Sequence, residues 1–191
     1  MGTERLQAFT DGVVAIIITI MVLEIKAPSD ATLAALLASL PILLTYVFSF
    51  VNVGIFWNNH HHMLHAAERV DGKVLWANLF LLFWLSLVPF VIRWIDEAGF
   101  QAVPTASYGV ILAMAAFAYL LLEWALIACN GPSSALAIAV GHDRKAIVSM
   151  ALYVIGIALA FWSPWAAIFV YVALSLAWFL PDRRIESFKR E

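Results

Sequence analysis

Six apolar stretches, at about residues 8–25, 33–57, 74–95, 105–128, 146–163 and 165–180, leave this chain very few folds. Each approaches the roughly 20 residues that a helix needs to cross a hydrocarbon core about 30 Å thick. The chain has 191 residues, 64% of them hydrophobic and only 13% charged, with a mean hydropathy of +0.91. A water-soluble domain of that size exposes too much surface for its volume to hide so many apolar side chains. The solvent is therefore lipid, where every span must satisfy its own backbone polar groups, and each stretch is expected to be a helix. The last two are short and separated only by Ser163-Pro164, which predicts a tight helical hairpin in preference to one long broken helix.

The single cysteine, Cys129, excludes an internal disulfide framework and any CxxC metal motif. Asp11 stands near the head of the first run, and Glu24 and Lys26 follow it where a cleavage site would need small residues. The run is thus expected to be a span and not a signal peptide. No linker, internal repeat or low-complexity tract divides residues 1–191, so one six-helix domain is expected. With six spans both termini share a side with loops 58–73 and 129–145. That side carries Arg5, Arg69, Lys73, Arg144, Lys145, Arg183, Arg184, Lys189 and Arg190, against Lys26 and Arg93 opposite. The bias makes both termini cytoplasmic, and the tail PDRRIESFKRE reads as an orientation signal.

The first span differs from the others. No aromatic residue occurs between Phe9 and Tyr46, although the chain has eight tryptophans. Lipid-facing helices carry aromatics at the headgroup level, so a helix rich in Ile and Val without them fits packing against protein or lining a pathway. At about 100° per residue, Gly12, Ile16, Thr19, Ile20, Leu23 and Ala27 share one stripe about 100° wide, and Asp11 points about 140° away from Ile16. Copies of that stripe around a common axis would form hydrophobic rings with one hydroxyl ring among them. Such rings gate by dewetting and make an ion shed part of its hydration, which favours potassium weakly over sodium. Periodicity alone leaves this open beside the commoner alternative, an ordinary helix–helix core stripe.

Arg5, Phe9, Thr10 and Asp11 form RxxxF(S/T)D, followed by GVVAIIITIMVLEI, and the second span ends in FWNNHHHMLH, residues 56 to 65. These segments resemble the transmembrane protein 175 family of lysosomal and bacterial potassium channels. The resemblance spans essentially the whole chain, with its specificity in the first 25 residues and the histidine segment. It implies an all-α homotetramer in the cell membrane, a central pore lined by the first helix, permeant potassium and no cofactor. It implies also that Ile16 forms the narrowest ring, with Thr19, Ile20 and Leu23 above it toward the outside, and that potassium passes transiently near Ile16, Thr19 and Leu23. Thr10 stands where serine is commoner in the family, and its hydroxyl is expected to keep the role. The TVGYG filter of ordinary potassium channels is absent here too.

The remaining polar residues are read as structural. Asp11, facing away from the stripe, is expected to bond to other helices of the same subunit, with Arg5 and one of His60, His61, His62 and His65 as partners. His61 and His65 have an i, i+4 spacing that can hold zinc, but no cysteine or carboxylate supports them before Glu68, so interhelical hydrogen bonding is expected. Glu123 is expected to reach the cytoplasmic interface, and Glu24 and Asp30 to make the outer mouth acidic and attract cations. Pro41, Pro89 and Pro164 are expected to bend or end helices. Asp11, Glu123 and the histidines also permit a proton-coupled small-solute transporter, although neither broken helices nor an internal repeat is evident. A non-conducting scaffold is a further alternative. Paired carboxylates, a nucleophile–base pair and a phosphate loop are all lacking, so no enzyme is expected.

Overall fold

The computed structural model describes residues 2–140 and 144–179, and among these all regular structure is helical. The helices are α1 (Thr3–Leu23), α2 (Leu33–Ala38), α3 (Leu40–His65), α4 (Gly72–Ser86), α5 (Val88–Ala98), α6 (Ala102–Asn130), α7 (Ala135–Val140), α8 (Arg144–Ala160) and α9 (Pro164–Phe179). Four stretches among the described residues are long and apolar enough to cross a bilayer: Thr3–Leu23, Leu40–His65, Gly72–Ala98 and Ala102–Asn130. Two shorter apolar helices, Ile147–Ala160 and Pro164–Trp178, stand where the expected fifth and sixth spans lie. The tail residues Arg183, Arg184, Lys189 and Arg190, on which part of the orientation argument rests, lie outside the described residues.

Three prolines set the breaks. Pro41 and Pro89 sit in the first turns of α3 and α5, and Pro164 opens α9, positions where the missing N–H costs nothing. Before Pro89 the helix tightens, with Leu87 N bonding to Trp84 O at 3.2 Å, so the third stretch is two helices and not one. Thr32 caps α2 by accepting from Ala35 N at 3.2 Å, and Asp71 caps α4 by accepting from Val74 N at 3.0 Å. Gly99 and Gly131, at φ 74° and 95°, stop α5 and α6 in a backbone region that side chains avoid. The second expected span ends too early. The helix runs on through Asn58 to His65, because polar residues end a hydropathy run without breaking a helix and no Gly or Pro intervenes.

α6 forms the spine of the protomer, with Leu112, Ala115, Ala118, Leu122 and Leu126 fully buried against α4 and α8. α8 and α9 pack along one another as the expected hairpin. Ser163 lies in its turn, and Trp178 Nε1 donates to Ser149 Oγ across the pair at 2.8 Å. The ring of Tyr171 on α9 fills a notch made by Gly109 on α6 and Gly156 on α8, where a Cβ at either glycine would collide with it. α1 lies at the margin, touching α3, α4 and α5.

Candidate ion pathway

α1 is packed on one side only. Leu6, Thr10, Val14, Ile17 and Met21 recur at helical spacing and are buried within the protomer. The opposite side is bare: Gly12, Ile16, Thr19, Ile20 and Leu23 are all exposed, with Ile16 at 58% and Leu23 at 79%, while Ala27, expected on the same stripe, lies beyond the end of the helix. Thr19 donates its hydroxyl proton to the Ile16 carbonyl at 2.9 Å, which leaves oxygen lone pairs as the polar feature of this face. Between α1 and α4–α5 lies an open concavity of about 760 Å³, walled by Ile16, Ile20, Glu24, Pro89, Phe90 and Trp94 among others.

The two ends of α1 are fastened differently. At the end that begins with the signature residues the bonds are mostly buried. Asn78 on α4 donates through Nδ2 to Thr10 Oγ1 at 3.0 Å, and His60 Nε2 lies 2.7 Å from Asn78 Oδ1. That oxygen only accepts, so His60 carries its ring proton on Nε2. Gln7 Nε2 lies 2.6 Å from His61 Nδ1, so the amide donates and His61 also keeps its proton on Nε2. Asp11 accepts from Trp57 Nε1 at 2.7 Å. The expected pairing of Asp11 with Arg5 or a histidine is therefore replaced by an indole bond. Arg5 and Phe9 are exposed, and Arg5 forms no ion pair among the described residues.

At the far end α1 is held by charge. Arg93 on α5 donates to Glu24 at 3.0 Å and to Glu97 at 3.2 Å, and Lys26 reaches Glu97 at 3.3 Å. Two acids and two bases cancel, so Glu24 does not act as a free outer carboxylate as expected, while Asp30 is exposed and outside the cluster. Glu123 also departs from expectation: it is buried at 5% exposure instead of reaching an interface. His61 and His65 stack edge to face at 4.4 Å, His62 is half-buried and His65 exposed. Among the described residues no three His, Cys, Asp or Glu side chains gather to hold a metal. Sequence reasoning passed over Gln7, Asn78, Trp57 as a partner, and Arg93 as a clamp. Asn78 left a signal, as the one amide in the apolar run VLWANLFLLFWL.

Residues 5–89 match the family described as endosomal/lysosomal potassium channel TMEM175. A potassium channel of Chryseobacterium sp. (strain P1-3) is 49% identical over all 191 residues, covering the whole of both chains. This chain belongs to the TMEM175 family. A potassium channel of Chamaesiphon minutus is 32% identical over 189 residues, 91% of this chain and 92% of the other. The crystal structure of a lysosomal potassium-selective channel TMEM175 homolog from Chamaesiphon minutus superposes with a TM-score of 0.80 at 28% identity, covering 93% of this chain and 96% of that one. These TMEM175 relatives are channels and not enzymes.

Proposed function

We propose that this TMEM175 chain is the subunit of a potassium-selective channel in the cell membrane, needing no cofactor. Four copies surround a pore lined by α1, six helices cross the bilayer per subunit, and both termini are cytoplasmic. One observation carries this reading: the stripe that helical geometry gathers on one face, and that the resemblance assigns to the pore, is the stripe the protomer leaves uncovered. Ile16 is the narrowest ring and gate, Thr19 the hydroxyl ring, and Ile20 and Leu23 the rings above, with potassium passing near Ile16, Thr19 and Leu23. The transporter alternative loses support because Asp11 is bonded to Trp57, and His60 and His61 to Asn78 and Gln7, all of them contacts that fasten one helix to another.

Purified protein in liposomes tests the reading. Potassium flux is expected to exceed sodium flux several-fold, and equal rates or no flux at all would refute it. Arg93→Gln tests the neutral mouth. Removing that cation leaves Glu24 and Glu97 facing Lys26 alone, a net gain of one negative charge per subunit. Single-channel potassium conductance is expected to rise about twofold at 0.01 M salt, where the Debye length is roughly 30 Å, and to be unchanged at 1 M, where it is roughly 3 Å. Equal conductance at low salt would remove Glu24 from the conduction path.

A further inference from the structure

A second cavity is lined by no residue of α1. It measures about 370 Å³ and lies between α3, α6 and α9, with α3 and α9 tied by Ser175 donating to Asn52 at 2.6 Å. Leu40 and Leu44 from α3 and Leu37 from α2 form its rim and are 45%, 59% and 57% exposed. Its depth is closed by Phe48, Thr105, Tyr108 and Tyr171, and no charged side chain lines it.

Two polar atoms here are anomalous. Thr105 and Tyr171 are fully buried, and neither Thr105 Oγ1 nor the Tyr171 hydroxyl has a hydrogen-bond partner among the described residues. Other helical hydroxyls in this chain find partners, several of them locally: Thr45, Ser49 and Ser175 donate to the carbonyl four residues back, and Ser86 to the one three back. Thr105 does not, although the same bond is open to any threonine in a helix. Buried hydroxyls are nearly always paired; that of Tyr171 lies in the notch against Gly109, so the orphan at the cavity is Thr105, and it points to an acceptor that comes from outside the chain.

The cavity's chemistry selects the occupant. Water needs two to four polar partners per molecule, and of the four hydroxyl residues in the lining Thr45 and Tyr108 are already bonded to Pro41 O and Ser49 Oγ, too few free groups for a filling of this volume. A cavity of roughly 150 Å³ already accepts benzene, so about 370 Å³ has room for a flexible hydrocarbon chain. The leucine rim opens sideways, toward acyl chains when the bundle sits in a bilayer. Thr105 is the fourth residue of α6, about one turn from the helix end, and the stacked pair Phe100–Trp165, 4.8 Å apart, lies at the same level as an interfacial marker. We infer that this cavity binds one acyl chain of a phospholipid, with the chain's ester carbonyl accepting from Thr105. The inference rests on the membrane-embedded bundle alone, not on the assignment of the pore.

The full-length protein, reconstituted in phosphatidylcholine vesicles carrying a diazirine-labelled chain on a fraction of the lipid, provides the test. After photolysis, adducts are located by tandem mass spectrometry at Tyr108, which is buried, and at Phe169, which is exposed. Tyr108 is expected to be labelled to within a few-fold of Phe169. Val172→Phe, which fills the cavity, is expected to abolish the Tyr108 adduct and spare that on Phe169. Thr105→Val preserves shape and removes only the donor, so it stays informative if the filled variant does not fold; the Tyr108 adduct is expected to fall several-fold while potassium flux persists. Labelling confined to exposed residues, or a Tyr108 adduct indifferent to Thr105→Val, overturns the proposal. So does labelling of Tyr108 by a diazirine fatty acid when labelled phosphatidylcholine leaves it untouched.

Discussion

Ile16→Asn is expected to raise potassium flux through reconstituted channels about tenfold, and to bring sodium flux close behind, because roughly 1.4 kcal/mol off the barrier is a factor of ten. In the proposed tetramer one substitution changes four side chains at the same level. Each exchanges a branched hydrocarbon for an amide that holds water, so a ring that had excluded liquid is wetted throughout the cycle. Cations then cross with more of their hydration, and the difference between potassium and sodium shrinks because it depended on stripping water. Ile16→Ala separates width from polarity. It opens the ring without wetting it as strongly, so flux should rise less while selectivity still weakens. Flux and ion ratio unchanged in both variants would mean that Ile16 faces lipid or a neighbouring helix, and the pore would have to be sought elsewhere.

That stripe was legible because helix geometry is rigid: once residues 8–25 are a helix, the face holding Ile16, Thr19, Ile20 and Leu23 follows from counting, and the protomer leaves that face bare. The first four spans were legible for a related reason, since lipid permits no irregular exposed backbone and apolar length translates into helix. Breaks were less visible. Ser39 and Leu87 part helices without a change in hydropathy, and α7 is too short to leave a periodic trace. Partners were hidden most of all. Asp11 meets Trp57 46 positions away and Glu24 meets Arg93 69 positions away, choices made by how whole helices pack and not by local pattern. Opposite charges in the sequence suggested Arg5 for Asp11, but an indole N–H from α3 is where the fold puts a donor. Glu123 shows the same limit, because its place near the end of an apolar run said nothing of which face of α6 would be covered.

The bond that joins α1 to the bundle yields the second large effect. Asn78 is fully buried and serves two helices at once, giving to Thr10 on α1 and accepting from His60 on α3. Asn78→Leu fills nearly the same space and leaves both partners without an exit to water. Each orphaned buried group costs roughly 1–3 kcal/mol, whereas interhelical hydrogen bonds in membranes are individually worth nearer 0.6 kcal/mol, so the expected loss of about 3 kcal/mol comes mainly from the stranded groups. Thermal unfolding of the detergent-solubilised protein should register it as a clear fall in Tm. The variant Thr10→Val combined with Asn78→Leu discriminates between causes: removing both ends of one bond takes away one stranded group, so the double variant should be more stable than Asn78→Leu alone. A double variant that loses the sum of the two single losses would show that Thr10 and Asn78 act independently. In that case apolar packing at Leu6, Val14, Ile17 and Met21, and not the polar network, holds α1 in place.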